Sequence, residues 1–219
     1  MKPTHRVLTR IYFNRPTVQV ARSLIGKYLV RSIDGRMLAG KIVEVEAYVG
    51  PQDKACHASK GRTRRTEVLF GPPGIAYIYL IYGMYHCLNV VTEQEEFPSA
   101  VLIRAIEIDG ELIDGPGRLC RALQIDRRLN RVDLTTSESL WFEDRGALVE
   151  RRHVGAHPRI GVDYAGKWAK KPWRFRLRRV PGPTRTGRTK TKGGAGQVRH
   201  PPAVSIPLNG STTRSSDRR

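Results

Sequence analysis

Lys41-Ile-Val-Glu-Val-Glu-Ala-Tyr-Val-Gly-Pro-Gln-Asp-Lys-Ala-Cys-His57 is the stretch on which the reading of this chain turns. A strand sends successive side chains to opposite faces, so Val43, Val45, Ala47 and Val49 fall on one side and Ile42, Glu44, Glu46 and Tyr48 on the other. The first face reads as core. The second sets two carboxylates beside an aromatic ring, before Gly50-Pro51 ends the strand and the chain arrives at His57. Spacing alone fits an edge strand with a wet face, because charges on the solvent side of a strand are ordinary. The sequence around it decides whether the carboxylates do more.

Upstream, Arg15-Pro16-Thr17 opens a short helical pattern with apolar positions at Val18, Ala21 and Leu24/Ile25, and Gly26 is a natural stop. Lys27 to Ile33 reads as a strand, Asp34-Gly35 as a hairpin turn, and Leu38 to Val49 as the antiparallel partner. Downstream, Ser59 to Glu67 holds four basic residues in nine with no apolar period. It reads as a loop whose cations either lie along phosphates or are simply solvated. After Gly71-Pro72-Pro73-Gly74 comes Ile75 to Val91, seventeen mostly apolar residues that include Tyr77, Tyr79, Tyr82, Tyr85, His86 and Asn89. That run is short and polar for a membrane span, and two buried strands joined at Tyr82-Gly83-Met84-Tyr85 fit better. Tyr77, Tyr79 and Ile81 then share a face, while Tyr82 stands at the tip, either covered by a partner or folded back on its own domain.

Ala100 to Ile108 is another strong strand with one cation, Arg104, at its middle. A buried arginine needs a carboxylate or a phosphate, and Glu44 or Glu46 is the obvious protein partner. Gly115-Pro116-Gly117 leads into a helical start; Pro158 to Val162 and Trp173 to Leu177 read as late strands flanking Asp163 to Ala169. The expected fold class is α+β: a single domain with a curved, largely antiparallel β-sheet core flanked by short helices.

The formal net charge is +19, and from Gly182 onward eight Lys/Arg face one acid, Asp217. The body up to Pro181 still keeps 31 basic against 19 acidic residues. A domain that basic is expected to meet a polyanion, nucleic acid first and an anionic membrane surface second. Cys56, Cys87 and Cys120 are widely spaced, without a C-x-x-C pair, so neither a disulfide framework nor a structural metal is indicated. The N-terminus carries no secretory signature, and the expected compartment is the cytoplasm, with the chromosomal DNA. The expected organisation is one domain over residues 1–181 and a basic, disordered tail over 182–219, rich in Thr, Gly, Ser and Pro.

Seven blocks in order resemble the alkyladenine (3-methyladenine) DNA glycosylase family: Ala21 to Val30, Gly40 to His57, Phe70-Gly-Pro-Pro-Gly74, Tyr77 to Tyr85 with Asn89, Leu102-Ile-Arg-Ala105, Gly115-Pro-Gly-Arg-Leu-Cys120, and Arg159-Ile-Gly-Val-Asp-Tyr-Ala-Gly166. The resemblance implies a monofunctional base-excision repair enzyme, acting as a monomer without cofactor or metal. Its partner is double-stranded DNA containing damaged purines: 3-methyladenine and 7-methylguanine, and in many members hypoxanthine and ethenoadenine. Carried over by position, Glu46 matches the general base that activates water, and Arg104 the arginine that helps hold that water and the flipped nucleotide. Tyr48, His57 and Tyr79 match the walls of the base pocket, Asn89 the screen against a guanine amino group, and the backbone near Ile160 the loop completing the water site. Tyr82 matches the side chain that plugs the gap left in the duplex. Glu44 is either a supporting carboxylate or half of a structural ion pair. The chain departs from the family pattern at Thr63-Arg64-Arg65-Thr66, at Leu69 and at Lys167. Two further readings stand beside this one: a non-catalytic nucleic-acid-binding protein, and a metal-dependent nuclease using Glu44, Glu46 and Asp53.

Overall fold

The computed structural model describes residues 5–178. In it ten strands form one sheet: β1 (Arg6–Val7), β2 (Tyr28–Ile33), β3 (Arg36–Tyr48), β4 (Ala76–Ile81), β5 (Tyr85–Val91), β6 (Ala100–Ile108), β7 (Glu111–Asp114), β8 (Leu140–Asp144), β9 (Val154–His157) and β10 (Arg174–Leu177). The order is β1-β8-β2-β3-β6-β5-β4, with β7 beside β6 and β10 paired to both β3 and β9; every pairing is antiparallel. Three short helices accompany it: α1 (Arg10–Phe13), α2 (Thr17–Leu24) and α3 (Pro116–Ala122). The expected α+β class is what the described residues form. The basic tail and its boundary at residue 181 lie outside them. Among the described residues no helix is long and apolar enough to cross a membrane.

Asp34 and Gly35 take positive φ values of 48° and 77°, the two-residue turn whose twist matches that of the strands it joins. The strand it starts, β3, is not an edge. It pairs with β2 through residue 41, then with β6 on one side and β10 on the other, where Glu44 faces Arg176 and Glu46 faces Arg174. Glu44 and Glu46 are accordingly 1% and 0% exposed, which overturns the wet face.

Strict alternation also fails at one point. Ile42 pairs with Ile106 and Glu44 with Ala105, leaving Val43 as an extra residue on β3; Val45 then pairs with Ile103, leaving Arg104 as an extra residue on β6. A bulge shifts the parity of the strand that carries it. Ile42 therefore joins Val45 and Ala47 in the main core, and Val43 turns outward with Lys41 to line a different cavity. The opposed bulges restore the register and bring Arg104 over Glu44.

The core lies where α2 and α3 pack on the sheet. Val20, Ala21 and Leu24 of α2 meet β3 residues, and Leu119 and Cys120 of α3 meet β5 and β6. Each fully buried leucine contributes roughly 1.5–3 kcal/mol. Two residues past the end of α2 the chain turns at Gly26, whose φ of 87° and 2.3 Å approach of an ideal Cβ to Val149 leave room only for glycine. One late element differs from expectation: Pro158 to Val162 is irregular, and the strand lies just before it, in β9. β9 ends at His157 because Pro158 has no amide hydrogen to give a ladder.

Candidate active site

Two buried strands, β4 and β5, meet at a tight turn where Tyr82 and Gly83 have φ of 52° and 70°. Tyr82 is 82% exposed at the tip, so it does not fold back on its own domain. Behind it Tyr77, Tyr79 and Ile81 share one face, as their spacing predicts, and line a cavity of about 360 Å³. Tyr48, His57, Asn89, Arg104 and Ile160 line the same cavity, with Tyr82 at its rim. Its size and mixed aromatic and polar lining suit a small planar ligand. A larger hollow of about 730 Å³, lined by Lys41, Val43 and Arg176 among others, holds none of these aromatic residues.

Glu46 is the one expected site residue that does not open onto the cavity. It lies immediately behind the wall, fully buried, and each of its oxygens has a donor. The Ile160 N–H donates to Oε1 at 2.9 Å and the Tyr48 hydroxyl to Oε2 at 2.8 Å, while Arg104 Nε stands 3.5 Å from Oε1. Burial pushes the Glu46 carboxyl above its ordinary range, and Arg104, the Ile160 amide and the Tyr48 hydroxyl oppose that shift. Three lining residues thus converge on one carboxylate, whose remaining lone pairs are the acceptors available to a water.

Arg104 donates from the same Nε to Glu44 at 3.2 Å. Glu44 is also met by Arg174 and Arg176, each at 3.1 Å, and Arg176 reaches on to Asp114 at 3.1 Å. The buried Glu44 is therefore the common anion of three arginines, and this holds Arg104 aimed at Glu46.

The aromatic side is tied together as well. His57 Nδ1 and the Tyr77 hydroxyl are 2.9 Å apart, and the His57 and Tyr79 rings meet edge-on at 4.6 Å between centroids. Burial first, then Arg65 and Lys60, lower the His57 pKa to about 4, so the ring is neutral at pH 7. Burial raises the Tyr48 and Tyr79 hydroxyls and keeps them protonated. Asn89, 3% exposed, donates its amide nitrogen to the Tyr77 and Cys87 carbonyls at 3.1 and 3.4 Å. Above Tyr79 sits the Arg65 guanidinium, 5.2 Å from the ring centroid.

Asp53 stands apart from Glu44 and Glu46. It forms a two-pronged pair with Arg159, both side chains 0% exposed. Arg159 also donates to the Ala47 and Trp168 carbonyls at 2.9 and 3.1 Å, which locks the irregular 158–162 segment against β3 and positions the Ile160 amide. Among the described residues no group of three or more His, Cys, Asp or Glu side chains converges as a metal site. Sequence reasoning missed Asp53–Arg159, Arg174 and Arg176 as supports, and Tyr77 as a wall. The last had a visible signal, since it shares parity with Tyr79.

Residues 11–181 match the model of the family described as Methylpurine-DNA glycosylase (MPG). Similar curated proteins carry the provisional name 3-methyladenine DNA glycosylase. One from Methanocella arvoryzae is 52% identical over 185 residues, 77% of this chain and 91% of the relative. One from Myxococcus xanthus is 49% identical over 176 residues, 78% and 90% of the two chains, and one from Legionella pneumophila is 49% identical over 183 residues, 80% and 97%. A family match across most of the body, together with relatives at about half identity over nearly their full length, settles the affiliation: the chain belongs to the methylpurine-DNA glycosylase family.

Proposed function

We propose that this protein is a monofunctional DNA glycosylase that flips alkylated or deaminated purines out of duplex DNA and hydrolyses the N-glycosidic bond, leaving an abasic site. The observation that carries the reading is the meeting of Tyr48, Arg104 and the Ile160 amide on buried Glu46, directly behind an aromatic cavity open at Tyr82. Extruding a base from the stack costs a few kcal/mol, least for a damaged one. Tyr82 would fill the gap in the duplex, and Tyr48, His57 and Tyr79 would hold the extruded ring, aided by stacking of roughly 1–3 kcal/mol per base. Asn89 at the cavity wall would screen against the amino group of undamaged guanine.

In the chemical step a water oxygen bonds to the sugar C1′ as the C1′–N9 bond breaks. The bonding pair leaves with the purine, and Glu46 takes the water proton. A cationic alkylpurine departs neutral; a neutral purine departs as an anion that then gains a proton. Glu46 also opposes the positive charge developing on the sugar, as carboxylates do in glycoside hydrolysis, and Arg104 orients water and nucleotide. No cofactor is needed for this step. The reading includes a protein that works as a monomer in the cytoplasm, through a domain ending near residue 181, its basic tail adding weak sequence-independent attraction to DNA.

The test is single-turnover base release from duplexes carrying hypoxanthine or ethenoadenine and from methylated DNA, with EDTA present, for wild type and Glu46→Gln. The expected result is free base from wild type and a loss of roughly a hundred- to ten-thousand-fold in the variant, with lesion binding retained. Strand scission without free base, abolished by EDTA, would favour a metal-dependent nuclease, and DNA binding without release from any substrate would leave a binding protein.

A further inference from the structure

Two guanidinium groups reach the wall of the base cavity, Arg104 and Arg65. Arg104 is neutralised by Glu44 and Glu46. Arg65 has no carboxylate within ion-pair distance among the described residues, and it lies over the Tyr79 ring at 5.2 Å. The cavity therefore carries one uncompensated positive charge beside the place where an extruded base would sit. Its field is already felt by the cavity groups: Arg65 adds to the lowering of the His57 pKa by burial and opposes the rise that burial gives the Tyr77 hydroxyl.

We propose that Arg65 is a selectivity residue that biases the cavity toward neutral damaged purines, deaminated or etheno-bridged, and against cationic N-alkyl purines. The proposal rests on the glycosylase reading above and adds a substrate class to it. Three physical effects point the same way. A fixed cation repels a purine that already bears positive charge, less strongly than in a sealed interior because Arg65 is exposed to solvent. The guanidinium lies over the Tyr79 ring, and a ring already facing one cation has less attraction left for a cationic base. Hypoxanthine offers acceptors at its O6 and N7 edge that match the arginine fork, and any neutral purine, etheno-bridged ones included, leaves as an anion, which a nearby cation stabilises as charge develops.

The experiment compares single-turnover release of hypoxanthine and of 7-methylguanine by wild type, Arg65→Gln and Arg65→Lys. Binding is measured in parallel by fluorescence anisotropy on the same duplexes with 2′-fluoro sugars, which keep the base attached. Arg65→Gln is expected to lower the hypoxanthine to 7-methylguanine ratio about tenfold, in rate and in affinity together. Arg65→Lys, which keeps the charge, is expected to retain most of the wild-type ratio. Equal losses on both lesions would overturn the proposal and make Arg65 a backbone phosphate contact, and an unchanged ratio would overturn it outright. If wild type releases neither base, the glycosylase reading fails, while the anisotropy ratio still decides whether Arg65 selects by charge.

Discussion

Replacing Asp53 by alanine should destabilise the folded body by about 3–5 kcal/mol, the range for breaking a buried ion pair from one side. Both partners are fully buried, and Asp53 holds the Arg159 guanidinium by Nη1 to Oδ2 at 2.5 Å and Nη2 to Oδ1 at 2.8 Å. Its carboxylate also accepts the Val49 and Ala55 N–H groups at 3.2 and 3.1 Å. The variant leaves a guanidinium in a dry site with two carbonyls and no counter-charge, and it frees two amides. Against a total stability of about 5–15 kcal/mol, that is a large fraction, and at this size it lowers the melting temperature by roughly 10 °C. Urea unfolding followed by circular dichroism measures it. Arg159→Met added to Asp53→Ala should restore part of the loss, because no charge is then left buried; full recovery is not expected, since the Ala47 and Trp168 carbonyls lose their donor. The folded fraction of Asp53→Ala should also release base more slowly, because Arg159 fixes the segment that aims the Ile160 amide at Glu46. A loss below about 1 kcal/mol, or a double variant no better than Asp53→Ala, would refute the reasoning.

The acid limb of base release should report Glu46. Burial raises its pKa above the ordinary 4.5, and a base must be ionised, so release is complete above the folded-state value and falls as pH drops through it. Arg104 is the largest of the influences holding that value down, so in Arg104→Gln a pH–rate profile should show the limb moved to higher pH as well as a lower plateau. An unmoved limb would detach the titration from Glu46. Tyr82→Ala should weaken binding to lesion duplexes more than to undamaged DNA, measured by anisotropy at fixed salt; equal weakening of both would remove Tyr82 from the gap-filling role.

Much of this architecture is legible locally. Asp34-Gly35 names its turn, Pro16 and Gly26 bracket α2, and the Tyr77/Tyr79/Ile81 parity places a face of β4. What escapes the sequence is set by tertiary pairing. Nothing in Ile42-Val43-Glu44 announces a bulge, because the insertion is defined only against Ile106 and Ala105 on another strand. Pro158 to Val162 has strand-like composition, yet its conformation follows from Arg159 turning inward to Asp53, an ion pair spanning 106 residues. Arg174 and Arg176 read as surface charge until β10 is laid beside β3 and both meet Glu44. The site residues on regular strands were therefore the readable ones, and their supports, contributed from far along the chain, were not.

Residues 44 and 46 acquire their partners from residues 104, 159–160 and 174–176, so the site is closed by the last strand of the body to leave the ribosome. Pairings this distant in sequence form late in folding. A chain truncated before β10 would carry Glu46, Tyr48 and the whole Tyr77–Tyr82 hairpin, yet it would lack two of the arginines on Glu44 and the strand flanking Glu46. Under the proposed mechanism, protein truncated there is expected to release no base. Base release by the mechanism proposed above would then report completion of the body, because the strand that flanks Glu46 is its last.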